Sequence, residues 1–279
     1  MVTRRDDSVA LRAPGEPWAT RELVLWAALG IAFSPSLAAI TRLWVAQPWA
    51  RPSALFFGLA IATAAREQAS RDSRRDGFLL VGIGVVLGVL AAGGGMARLG
   101  RPAFVVAVVG LARALGRPSP ATALLAVWAI PLPFALFVAL NPGLERWLGG
   151  LMAHAATSWG LSASLGYNEL DIADQKLWLR PTDGGLPLML YLAGIGWWGA
   201  AWRGGSVRQA ANAAIRLAPF GLAAQVLALA AALVLLFGGA PAAARVTLDL
   251  CAWPTLALAL FRVAGRGDAR PGAVPSRGR

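Results

Sequence analysis

Four side chains have the chemistry to act on a bond or a proton: Asp183, Asp249, Cys251 and His154. Cys251 is the only cysteine and His154 the only histidine. A thiol nucleophile needs a base to make it a thiolate and donors for the oxyanion it generates. For Cys251, in "RVTLDLCAWPTLALAL" (245–260), that help would have to come by folding from His154, Arg180 or Arg245. The other reading of a lone cysteine is a small buried apolar side chain. Asp249 near the end of an apolar run is costly unless paired or hydrated. Arg245, four residues earlier on the same helix face, suits a structural pair, and a catalytic role stays open beside it. His154, in "MAHAATSW" (152–159), is either a proton carrier or a plain polar-face residue. Asp183, in "RPTDGGLPLMLYLAG" (180–194), is a turn or N-cap residue before a helix from Leu186, or a functional carboxylate. Around it Trp178, Arg180, Gly184, Gly185 and Arg245 complete the candidate binding set. No metal or cofactor is expected. One cysteine and one histidine exclude zinc sites built from several of either, and a disulfide within the chain. "GGGMARLG" (93–100) lacks the strand before and helix after that a phosphate loop needs, and reads as a span end with tight turns.

The elements that must position these residues are apolar. The chain has 57% hydrophobic and 14% charged residues over 279 positions, too apolar for a soluble domain and suited to a lipid bilayer. The net charge of +12 is spread between apolar runs and not gathered with aromatics, so nucleic acid is not an expected partner. Apolar runs at 22–41, 52–65, 77–97, 102–116, 121–140, 185–202, 217–239 and 246–263 predict an all-α polytopic membrane protein with about eight transmembrane helices. The runs 52–65 and 102–116 are short for a ~30 Å hydrocarbon core, and each either borrows flanking residues or is re-entrant. Pro35, Pro131, Pro133 and Pro254 fall inside runs, where they kink a helix. "GIGVVLG" (82–88) predicts a face for close helix packing, and "GWWGAAW" (196–202) aromatics at the cytoplasmic interface.

Charge bias orients the spans. With both termini cytoplasmic, 18 of the 26 basic residues fall on inner segments and 8 on outer ones. "REQASRDSRRD" (66–76) is the sharpest inner loop. The chain then divides into a cytoplasmic segment 1–21 without a cleavable signal pattern, five spans over 22–140, an outer insertion 141–184, three spans over 185–263, and a basic, disordered cytoplasmic tail 264–279. In the insertion, Leu144, Trp147, Leu148, Leu151 and Met152 recur at helical spacing, predicting an interface helix with Trp147 and Trp159 at headgroup level. In "YNELDIADQKLWLRP" (167–181), Leu170 and Ile172 alternate with Glu169 and Asp171, and Leu177 and Leu179 flank Trp178. That alternation around Ala173–Gln175 predicts a small β-hairpin.

An amphipathic stretch, a hairpin, a Gly-containing turn into a span and two further spans, best over 141–263, resemble the C-terminal half of the exosortase/archaeosortase family. The resemblance implies a polytopic cysteine transpeptidase fold that processes a C-terminal sorting tail on exported proteins. The departures are specific. Where the family carries a Cys-Ser-Gly-Leu-Arg type motif this chain has "DGGLP" (183–187), with Asp183 at the nucleophile's place and Pro187 at the arginine's. The Asn-x-x-Arg motif falls on "QVLA" (225–228), leaving Ala228 for the arginine, and the histidine's place falls on Leu248 in "LDLCAW" (248–253).

Three readings follow. The first is an exosortase-like protein of the bacterial cytoplasmic membrane, a diverged enzyme or a pseudoenzyme, that binds an exported protein's C-terminal tail or a partner at an outer groove near Asp183, with Asp249 and Cys251 close by. The second is an assembly subunit contacting another membrane protein, with no groove. The third is a small-solute transporter, which requires broken helices around a polar midplane site.

Overall fold

The computed structural model describes residues 20–67, 74–115, 118–131, 139–140, 142–166, 169–180 and 182–265. The N-terminal segment, Pro133, most of the 66–76 loop and the basic tail lie outside the described residues. What is described is helical apart from one small sheet: α1 (Thr20–Ala32), α2 (Ser34–Ala46), a 3₁₀ turn (Pro48–Ala50), α3 (Ser53–Arg66), α4 (Arg74–Gly93), α5 (Ala97–Leu115), α6 (Pro120–Ala123), α7 (Leu125–Ala129), α8 (Pro142–Ser158), β1 (Ala163–Leu165), β2 (Glu169–Ile172), β3 (Gln175–Trp178), α9 (Leu186–Trp202), α10 (Val207–Phe237), α11 (Pro241–Leu250) and α12 (Ala252–Gly265).

Length and composition show part of the expected set of spans. Among the described residues, Val207–Phe237 and Pro241–Gly265 are long and apolar enough to cross a membrane, and α1 with α2 makes a third if a pair bent by 73° counts as one. Among the described residues, the other apolar runs form helices that fall short of that length or apolarity. Pro35 sits in the first turn of α2, just after the break at Phe33. Leu124 separates α6 from α7, and Pro131 follows the extended Ile130 that ends α7. Pro254 lies in the first turn of α12, after a break at Cys251. In each case a ring without an N–H removes a helical hydrogen bond or restricts the residue before it.

The outer surface is apolar where the runs are. Leu79, Val86, Val89 and Leu90 of α4, Ile215, Phe220, Leu227 and Val234 of α10, and Leu258 and Phe261 of α12 are all exposed. Water penalises such a surface and hydrocarbon does not. The centre is α9, buried on almost every face, as a helix apolar all round must be. It packs antiparallel against α10 through glycines. A Cβ at Gly196 would lie 2.5 Å from Ala213 O, and one at Gly221 would collide with the backbone of Met189. The hairpin of α4 and α5 repeats the device. Gly84 faces Ala107 at 2.7 Å for its missing Cβ, and Gly88 faces the ring of Phe33 at 2.8 Å, whereas Gly82 meets nothing within 4 Å. The expected packing face is thus carried by Gly84 and Gly88. Its helix ends at Gly93, and Gly95 at φ +65° turns the chain into α5, as the triple glycine suggests.

"GWWGAAW" behaves differently from the expectation. Trp198 is buried against Trp202 (5.6 Å between rings) and donates from Nε1 to Thr63 Oγ1 at 3.1 Å. Trp197 donates to Ala121 O at 2.7 Å, and the Arg66 guanidinium lies 3.9 Å from the Trp202 ring. The Trp197 and Trp198 N–H groups find partners on other helices and Trp202 packs under Arg66, so these rings bind α9 to α3 and α6 and do not form a lipid-facing belt.

The insertion is a three-stranded antiparallel sheet under a helix. The expected hairpin is β2 and β3, with Leu170 opposite Leu177 and Ile172 opposite Gln175, and β1 adds a third strand on β2. Its turn is Ala173–Asp174, both at positive φ (51° and 63°), as a two-residue connection between twisted strands requires. Leu170, Ile172, Leu177 and Leu179 are buried beneath Leu148, Met152 and Ala156 of α8 and beside Leu229 and Leu233 of α10. Trp147, Leu151, Trp159 and Trp178 remain on the outside.

Replacing Gly221 by alanine should destabilise the protein by about 1–3 kcal/mol through overpacking against Met189. Gly82→Ala should be neutral or stabilising, because its Cβ enters open space and alanine favours helix. Thermal unfolding of both variants in detergent checks the pair; equal effects would refute the glycine contact between α9 and α10.

Candidate functional site

The site assembles where the outer sheet meets the start of α9 and the break between α11 and α12. Arg180 leaves β3 and enters a tight turn: Asp183 N–H donates to Arg180 O at 2.8 Å, and Arg180 N–H donates to Asp183 Oδ2 at 2.8 Å. Gly184 is buried behind it. Gly185, at φ +83°, is the N-cap of α9 and has no side chain to cap with. Asp183 therefore closes the turn before the helix and does not cap the helix itself, which corrects the N-cap reading. Gly185 also lets this turn approach α10, since a Cβ there would lie 3.2 Å from Gln225 Cβ.

The Asp183 carboxylate is 6% exposed and fully engaged. Arg245 grips it with both terminal nitrogens, at 2.6 Å to Oδ2 and 3.1 Å to Oδ1. The pair expected of Arg245 and Asp249 is also present, at 2.5 Å to Oδ1. A further Arg245 N–H donates to Trp178 O at 3.3 Å, so Trp178 takes part through its carbonyl while its ring faces out. Arg180, by contrast, reaches only Asp249 Oδ1 at 3.3 Å, with 52% of its side chain exposed. Two arginines and two aspartates thus form one connected network, the geometry in which ion pairs offset their desolvation best.

Behind the network lies a small cleft of about 50 Å³. It is lined by Asp183, Asp249, Cys251, Gln225 and Leu248, and closed by Trp49, Pro52 and Tyr191. The Cys251 thiol faces Leu248 O at 3.2 Å and Gln225 Oε1 at 3.7 Å. No base touches it among the described residues. His154 is exposed on α8 and does not reach the cleft, and Arg180 and Arg245 are committed to carboxylates. The arrangement therefore lacks the imidazole that a thiol nucleophile needs near neutral pH. No group of three or more His, Cys, Asp or Glu side chains suited to a metal ion occurs among the described residues.

Two cleft residues, Trp49 and Tyr191, and one neighbour, Glu145, escaped the sequence reading, which met Gln225 only as the first residue of "QVLA". Tyr191 donates its hydroxyl to Trp49 O and stacks on Phe56, tying the turn after α2 to α9. Gln225 is the only polar side chain between Leu217 and Phe237, a signal that the sequence did offer. Glu145 of α8 is 8% exposed, and its Oε1 has no hydrogen-bond partner. Burial, with the negative charge of Asp183 adding to it, holds the Glu145 carboxyl above its ordinary 4.5, against the opposing pull of Arg146. Glu145 shares the buried face of α8 with Leu148, Gly149, Met152 and Ala156, at helical spacing.

Two outcomes test this geometry. Arg245→Leu should cost about 3–5 kcal/mol of unfolding free energy, because it strands the buried Asp183 carboxylate. Adding Asp183→Asn to it should recover a large part of that loss, as a double-mutant cycle would measure. For Glu145 the folded pKa lies above the unfolded one, so its contribution to stability is fully present below about pH 4 and is lost as pH rises through the folded value. Glu145→Gln should therefore leave thermal stability unchanged at low pH and raise it at pH 7–8; a pH-independent difference would contradict the desolvation argument.

Compared with protein-family models, curated proteins and solved structures, the chain matches none.

Proposed function

We propose that this chain is a multi-pass protein of the bacterial cytoplasmic membrane, exosortase-like in the arrangement of its outer cleft, that holds a segment of an exported polypeptide there without cutting it. Its eight apolar runs are its spans, and both termini are cytoplasmic. One observation carries the reading. The positions that the family resemblance assigns to the nucleophile (Asp183), the asparagine of the second motif (Gln225) and the histidine (Leu248) line a single cleft, although they come from a turn and two different helices. Their shared lining of one cleft, from segments far apart in sequence, is what supports this register.

The chemistry of the cleft supports binding over cleavage. The nucleophile's place holds a carboxylate whose two oxygens are occupied by Arg245 and a backbone N–H. The remaining thiol, Cys251, has no imidazole beside it. A cleft between the turn that follows the sheet and the ends of the helices around it suits an extended segment that continues over the surface or into lipid. The assembly-subunit reading draws on the exposed Trp147, Trp159 and Trp178, which offer a rigid aromatic surface to a membrane neighbour. It leaves the cleft unexplained.

The test places a photo-crosslinking benzoylphenylalanine at Thr182, which lines the cleft, and irradiates native membranes. A polypeptide adduct at full length, unchanged by Cys251→Ala and abolished by Leu248→Trp, is the expected result. A C-terminally trimmed product that disappears in Cys251→Ala would establish a thiol enzyme instead, and an adduct insensitive to Leu248→Trp would remove the cleft from the function.

A further inference from the structure

The cleft's size and its uncommitted hydrogen-bonding atoms restrict what enters it. A water molecule needs roughly 10–15 Å³ of such space, so about 50 Å³ admits a group of only a few heavy atoms. The walls are rigid: Trp49 and Pro52 stand on one side, and Tyr191 is held by its bond to Trp49 O and its stack on Phe56. Gln225, 4% exposed, is the polar floor. Its only side-chain hydrogen bond among the described residues is the thiol's to Oε1, which leaves the Nε2 amide as a donor without an acceptor. Asp249 supplies the opposite: its hydrogen bonds all fall on Oδ1, so Oδ2 is a free acceptor at the same cleft. The charges around it balance, Arg245 against Asp183 and Arg180 against Asp249. A cation would face two bound arginines, and a carboxylate would face Asp249.

We infer that the cleft recognises a neutral peptide group carrying a small side chain: the Gln225 amide donates to its carbonyl, Asp249 Oδ2 accepts its N–H, and Trp49 with Tyr191 excludes anything larger than alanine or serine. The inference rests on the polypeptide-binding reading and specifies which residue of the segment occupies the site. A glycine, alanine or serine fits the space, whereas a leucine or an aromatic ring collides with Trp49. The selection acts through sterics and one unsatisfied amide, since a bulky residue would leave Gln225 buried without an acceptor.

Cys251 reports on occupancy because it lines the cleft. The purified full chain in detergent is labelled with methyl methanethiosulfonate in the presence of model amides. N-acetylglycinamide and N-acetylalaninamide should slow labelling in a saturable way, by about tenfold at ten times their dissociation constants, and N-acetylleucinamide should not. Sodium acetate and ethylammonium should leave the rate unchanged. Gln225→Leu and the isosteric Gln225→Glu should both abolish protection, and Trp49→Ala should let the leucine amide protect. Equal protection by the leucine and alanine amides in the wild type overturns the inference, as does stronger protection by acetate or ethylammonium, or undiminished protection in both Gln225 variants. If no amide protects while Thr182 still crosslinks to a polypeptide, the small-residue rule fails and the binding reading survives. Specific amide protection without any Thr182 adduct fails the binding reading instead.

Discussion

Everything on the outer face depends on one guanidinium. Arg245 joins three segments at one point: the end of β3 through Trp178 O, the turn before α9 through Asp183, and its own helix through Asp249. Arginine suits this task because its planar fork offers two parallel donors to one carboxylate and still has a donor for another. Without it the sheet would rest on α8 and α10 by apolar contact, with only the half-exposed Arg180–Asp249 pair to fix its angle to α11. The cleft is a by-product of that fixing. Asp183 and Asp249 are drawn toward Arg245, and the space left beneath them is bounded by Gln225, Leu248 and Cys251.

The helices below solve a different problem. Where the surroundings are as apolar as the side chains, burial gives helices little reason to associate, and close approach has to supply the attraction. Glycine does this at Gly196 and Gly221 between α9 and α10, and at Gly84 and Gly110 between α4 and α5. These contacts keep α9 upright through the middle of the bundle. They also fix where its N-terminal turn emerges and presents Asp183 to Arg245. The polar ties at the other end, Trp198 to Thr63 and Trp197 to Ala121, act on the same helix.

Much of this was legible in the sequence where a local period governs. Alternation around Ala173 specified the hairpin, helical spacing specified α8, and four-residue spacing specified the pair of Arg245 with Asp249. The start of α10 was legible too. Ser206 and Gln209 form a capping box, each side chain bonded to the other's backbone, so the helix begins ten residues ahead of its apolar run. Hydropathy alone hides this, because Arg208 and Arg216 interrupt the apolar signal. Glu145 was hidden for the opposite reason: a charged residue on an amphipathic helix reads as solvent-facing, and only its spacing from Leu148 and Met152 puts it inside. Trp49 and Tyr191 meet across a long stretch of chain, which no local pattern encodes. Whether α1 and α2 make one span depends on the break at Phe33, and hydropathy averages over a single residue of that kind.

The same ion pair also limits the chemistry open to Asp183. A carboxylate acts as a nucleophile or base through a lone pair that is free to point at the reacting atom. Asp183 Oδ1 is taken by Arg245, and Oδ2 by Arg245 and the Arg180 N–H together. Freeing either oxygen would mean breaking a contact that positions the sheet, so Asp183 is structural by geometry. The thiol that remains sits one helix break away, among Leu248 O, Gln225 and two aspartates. The cleft thus offers the Gln225 amide, the Asp249 carboxylate and the walls of Trp49 and Tyr191.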